Sequence, residues 1–140
     1  MRFEQIAERF LKIWKYPEVN FLEEIDNGEI NIFEAEDPKG KKIKYAIFCS
    51  HKIEVTQVTQ LYVEVFKKLF ATQPETFFIT DLGSRIGLTK NPDKTGLRQA
   101  VSINDTYFIE SNIDNNGKFD RIKQALNIFE LEDELIIKYA

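Results

Sequence analysis

Apolar residues recur at two different periods along this chain, and the changes of period mark its elements. Phe3, Ile6, Phe10 and Ile13 fall three and four apart with Ala7 and Trp14 beside them, which lays one apolar stripe along a first helix. Pro17 stops it, since a proline lacks the backbone donor a helix interior needs. Alternation then takes over from Glu29 to Glu36, with Ile30 and Ile32 against Glu29 and Asn31, and again from Lys42 to Phe48, with Ile43, Tyr45 and Ile47 on one side. A period of two belongs to strands with one buried face. Between the two lies Asp37-Pro38-Lys39-Gly40, where proline presets one torsion and glycine accepts a positive one, so the strands are expected to pair as a hairpin.

After a short extended piece at Lys52 to Val55 the helical period returns. Val58, Leu61, Tyr62, Val65, Phe66, Leu69 and Phe70 form a wide stripe, with Thr56 or Thr59 as the expected N-cap. Glu75 to Leu82, after Pro74, is apolar enough to be a further helical turn or a short strand, and the pattern leaves both open. Gly83 to Gly96 holds three glycines and one proline, which predicts a long irregular connection. Thr106 to Ile113 reads as a strand. Asp114 to Gly117 supplies turn and cap residues ahead of a helix on Phe119, Ile122, Leu126 and Phe129, and Glu134 to Tyr139 makes a last strand. The order predicts one α+β domain over residues 1–140, with a helix and hairpin in 1–48 and a helix, loop, strand, helix and strand in 52–140. Its antiparallel or mixed sheet would pack against about three helices.

Composition supports that reading. At 140 residues, 43% apolar and with twelve phenylalanines, the chain is long enough to bury a core of rings without metal or disulfide. Cys49 is its one cysteine, so no internal disulfide forms and a reducing cytoplasm is expected. Met1-Arg2-Phe3-Glu4 shows no charged leader before an apolar run, so no signal peptide is expected. No apolar run approaches the ~20 residues of a membrane span, so no membrane partner is expected.

Catalytic patterns are sparse. Cys49 and His51 make a Cys-x-His pair, but no second cysteine or histidine completes a zinc-type site. His51 would have to serve any nucleophile triad, and no Gly-x-Ser-x-Gly elbow exists. Asp93-Lys94-Thr95-Gly96 looks like the phosphorylated motif of ion pumps, yet a loop precedes it instead of the buried strand that would aim its carboxylate. Gly83-Ser84-Arg85-Ile86-Gly87 lacks the Gly-Lys-Ser/Thr ending of a phosphate-cradling loop. Asp26 with Asp37-Pro38-Lys39 has a spacing open to a metal-dependent nuclease, but turn formation already explains Asp37 and Lys39. Glu130, Glu132, Asp133 and Glu134 read as a solvated acidic face. No catalytic residue, metal or cofactor is therefore assigned.

Charge is more informative. The chain carries a net −4, against a surface coated uniformly for nucleic acid. Between Gly83 and Ile103, however, Arg85, Lys90, Lys94 and Arg98 face the single acid Asp93, a local +3. Arg and Lys make most contacts to nucleic-acid backbones, so these four residues form the candidate anion-binding or nucleic-acid-binding set. No aromatic interleaving is evident among them.

From about Ala46 onward the chain resembles a C-terminal accessory module of modification-dependent restriction proteins built around a ParB-like nuclease domain. The resemblance lies in Ile53-Glu54-Val55 leading to Leu61, in Gln73-Pro74-Glu75 with Phe77 or Phe78, in Leu97-Arg98-Gln99, in Asn104 to Ile113, and in the closing helix and strand. Neither the nuclease region nor HNH-type histidines accompany it. The resemblance thus implies a binding or assembly module, associated with nucleic acid or a restriction-type protein partner, and carries over no catalysis. Tyr107, Phe108 and Phe129 are expected in the core. The alternative is a structural or protein-interaction subunit, a homodimer sharing a face made by surplus phenylalanines. A metal-dependent nuclease using Asp26 and Asp37 ranks last.

Overall fold

The computed structural model describes residues 28–140. The predicted first helix at Phe3 to Ile13, and Asp26, lie outside the described residues. In chain order the remainder forms β1 (Glu29–Asn31), β2 (Ile43–Phe48), β3 (His51–Ile53), α1 (Val58–Thr72), α2 (Glu75–Ile79), α3 (Leu82–Ile86), α4 (Pro92–Thr95), β4 (Ala100–Ser102), β5 (Phe108–Glu110), α5 (Asn115–Phe129) and β6 (Leu135–Tyr139). The fold is α+β, and among the described residues every strand pairing is antiparallel. Of the five helices among the described residues only α1 and α5 exceed five residues.

The expected hairpin between residues 29–36 and 42–48 does not form. The larger sheet has the order β1-β6-β2-β3, so the last strand lies between the two that were expected to pair. Asn31 explains the difference. Its side-chain oxygen accepts the Phe33 N–H at 2.8 Å and its carbonyl accepts the Glu34 N–H at 2.9 Å, a turn that takes the chain out of the sheet after three strand residues. Asp37-Pro38-Lys39-Gly40 still turns, with the Lys39 N–H on the Asp37 carboxylate at 2.9 Å. It simply joins strands that flank a third. β6 fits the gap because Leu135 and Ile137 are fully buried, and Ile137 stands opposite both Ile30 and Ala46.

The hairpin that does form is β2 with β3, across Cys49 and Ser50. Both turn residues have positive φ, 49° and 71°, the combination that matches the strands' right-handed twist in a two-residue turn. Cys49 forms the turn, buried, and His51 opens β3.

Helix patterning is reproduced closely. All seven stripe residues from Val58 to Phe70 are buried in α1, and Phe119, Ile122, Leu126 and Phe129 are buried in α5. α1 begins differently from expectation: Gln60 Oε1 accepts the Thr56 and Gln57 N–H groups at 2.8 and 3.2 Å, which makes Gln57 the N-cap. Thr59 turns elsewhere and accepts from Lys118 Nζ at 2.9 Å. Asp114 caps α5 through the Gly117 N–H at 2.7 Å. Rings then lock the helices together, with Phe77 of α2 lying 6.2 Å from Phe66 of α1 and 5.8 Å from Phe129 of α5.

Glu75 to Ile79 is helical, which settles the choice left open by the pattern. The predicted irregular connection from Gly83 to Gly96 is also largely helical. It holds α3 and α4, each ended by a left-handed glycine, Gly87 and Gly96. Gly83 serves proximity instead: a side chain there would begin 2.7 Å from the Phe77 carbonyl oxygen.

Left-handed backbone costs a non-glycine residue about 1–2 kcal/mol. Ser50→Gly should therefore raise stability by about 1 kcal/mol, part of the relief being offset by the freer unfolded chain. Urea denaturation of the two proteins measures this, and an unchanged or lower midpoint would show that the turn is unstrained at Ser50.

Candidate functional site

A second, smaller sheet positions the basic segment. β4 and β5 pair with Ala100 opposite Glu110 and Ser102 opposite Phe108. On the other side of β5, Thr89 and Phe108 exchange two backbone hydrogen bonds of 3.0 and 2.8 Å. That bridge carries Lys90 to Tyr107, over whose ring its ammonium sits, 5.5 Å from the centroid.

Two of the four predicted basic residues have side-chain partners, and these differ. Arg85 pairs with Asp81 at 2.8 Å, one turn back on the chain, and its Nη1 donates to Gln124 of α5 at 2.7 Å. Its charge is matched and its side chain is drawn toward α5, while Lys90 is drawn to Tyr107. Lys94 is exposed in the last turn of α4, and Arg98 is exposed just before β4. Neither side chain has a hydrogen bond or ion pair among the described residues. The local +3 is thus reduced in space, because Asp81 lies outside the sequence window but within reach of Arg85.

Glu110 fixes the backbone on which Arg98 stands. Its carboxylate accepts the N–H groups of Arg98 at 2.8 Å, Gln99 at 2.9 Å and Asn112 at 3.1 Å. Desolvation raises its pKa, but the N–H groups of Arg98, Asn112, Gln99 and Ser111 outweigh that and hold the carboxyl below the ordinary glutamate range. Behind it, the buried Tyr62 hydroxyl donates to the Glu110 carbonyl at 2.8 Å and accepts from Arg121 at 3.2 Å.

Aromatic residues sit beside this segment after all. Phe129 is buried as expected, but Tyr107 and Phe108 are only half-buried. Tyr107 packs 5.0 Å from Phe70 and 5.8 Å from Phe78, and Phe78 is 57% exposed. Next to it Ile79 is 72% exposed. The sequence held one signal for this: three successive apolar residues, Phe77, Phe78 and Ile79, cannot all face inward on a helix.

Elsewhere the chemistry is quiet. Burial, and then the Glu134 charge, push the Cys49 thiol above its ordinary range, which disfavours the reactive thiolate. Among the described residues no three His, Cys, Asp or Glu side chains are grouped to hold a metal ion. Asp93 lies in the first turn of the exposed helix α4, away from any buried strand end. A cavity of about 560 Å³ runs between β3 and the flank of α1, lined by Lys52, Val55, Gln60, Val63 and Lys68, and includes none of the four predicted residues. No protein-family model, curated protein or solved structure matches this chain.

The depressed Glu110 pKa means that its contribution to stability is full at neutral pH and is lost as the pH falls through and below the ordinary glutamate range. Glu110→Gln should speed amide hydrogen exchange at Arg98 and Gln99 and flatten this part of the acid dependence. Unchanged exchange at both amides would show that the carboxylate does not hold the segment.

Proposed function

We propose that the protein is a non-catalytic binding module that contacts the phosphate backbone of nucleic acid through its basic segment. The observation that carries the reading is that Lys94 and Arg98 stand exposed and unmatched among the described residues, on a backbone anchored by Glu110, with Lys90 held alongside on Tyr107. Arg85 drops out of the predicted set, since Asp81 and Gln124 already engage it. A restriction-type or defence assembly as the setting rests on the resemblance from Ala46 onward alone, and a cytoplasmic location on the single cysteine. No helix among the described residues is long and apolar enough to cross a membrane.

The exposed Phe78 and Ile79 favour one second reading, a homodimer that shares this face. Light scattering across a concentration series separates the two, because a monomer at every concentration removes the dimer.

Backbone binding by three cations predicts an affinity that falls with salt at a slope of about −2 to −3 in log–log terms. Lys94→Ala and Arg98→Ala should each reduce that slope by about one, whereas Arg85→Ala should leave it nearly unchanged. Titration of labelled oligonucleotides at several salt concentrations reads all three. Absence of binding at low salt, or indifference to Lys94 and Arg98, overturns the proposal.

A further inference from the structure

We infer that Phe78 is a stacking platform for an unpaired nucleobase, so that the module takes single-stranded nucleic acid in preference to duplex. This rests on the reading above and narrows its ligand.

Phe78 meets Phe70 at 69° and Tyr107 at 58°, with centroids 6.1 and 5.8 Å away. Neither neighbour lies parallel over it, and more than half of its surface is open. The ring is packed against two others, which limits its freedom before any ligand arrives. Flat, supported and exposed, it can stack with any base, and such stacking is tolerant of sequence.

Charge then distinguishes a nucleic acid from an apolar protein face. Lys90 rests its ammonium on Tyr107, the ring next to Phe78. A wholly apolar protein surface covering Phe78 and Tyr107 would have to take that ammonium out of water without an anion, which is costly. A nucleotide brings its own phosphate, so the same contact stays charge-compensated. The acids nearby limit the path. Glu75 opens α2, Asp81 follows it and is matched by Arg85, and Asp105 is exposed between β4 and β5. A base stacked on Phe78 therefore has Tyr107 and Lys90 beside it, while Asp93 precedes Lys94 on α4. Duplex bases cannot use the platform, because they are already stacked and paired, and unstacking costs a few kcal/mol.

Fluorescence anisotropy with a short oligothymidylate and with a duplex of equal length tests the inference. The single strand should bind more tightly. Phe78→Ala should weaken its binding by roughly 5- to 100-fold, Phe78→Leu should weaken it comparably, and Phe78→Tyr should restore most of it, with duplex binding unchanged throughout. Lys90→Ala should lower affinity and reduce the salt slope by about one. Equal binding of the two ligands, with no effect of Phe78→Ala, overturns the stacking role while leaving backbone binding intact. No binding of either ligand at low salt overturns both. A dimer that Phe78→Ala dissociates would assign the ring to a protein interface and likewise overturn the inference.

Discussion

The four-stranded sheet depends on β6. Both β1 and β2 pair with it, and they do not pair with each other, so the sheet's interior closes only when Leu135 to Tyr139 lies between them. Closing so long a loop is less expensive than it looks: a loop ten times longer costs only about 2 kcal/mol more. Burying one aliphatic side chain contributes about 1.5–3 kcal/mol, and β6 fully buries both Leu135 and Ile137. The distant partner therefore outweighs the local one. What the arrangement does cost is folding speed, since contacts between the two ends of the described chain cannot form early.

From that core a short series of hydrogen bonds reaches the surface. Tyr62, in the buried face of α1, holds the carbonyl of Glu110, and the Glu110 carboxylate holds the backbone of Arg98 and Gln99. Ser111 adds two bonds to the Gln99 carbonyl, both 2.9 Å, through its N–H and its hydroxyl. The segment that bears the cations is thus ordered from inside the fold, although few of its own side chains are buried. Ordering in advance lowers the entropic cost of any contact made there.

Much of the architecture was legible because helix stripes are local: burial of Val58 to Phe70 and of Phe119 to Phe129 follows from spacing alone. The hairpin was not legible, because turn chemistry at Asp37 to Gly40 reports that the chain reverses and says nothing about which strand fills the space beside it. The Asn31 turn that displaces β1 from β2 rests on a side-chain bond any asparagine can make, and its bond to the Glu132 carbonyl, 2.8 Å long, spans the length of the described chain. The surroundings of the candidate site are hidden in a similar way. Asp81, which pairs with Arg85, lies just outside the window 83–103, and Tyr107, the ring on which Lys90 rests, lies well beyond Lys90 in sequence. Only a bridge formed in three dimensions, Thr89 to Phe108, joins them.

A net charge of −4 need not repel a polyanion from such a surface, since carboxylates beyond about 8 Å are largely screened at physiological salt. The near charges decide, and they are few: Lys90, Lys94 and Arg98, with Asp93 preceding Lys94 and the Glu110 carboxylate holding the Arg98 N–H. Three exposed cations alone make a contact that ordinary salt weakens severely. Stacking on an exposed ring does not depend on counterions. In a protein with so little positive charge to present, the proposed contact would lean on the aromatic surface at Phe78 and Tyr107 where electrostatics fade, and of the three cations it is Lys90 that adjoins those rings, through Tyr107.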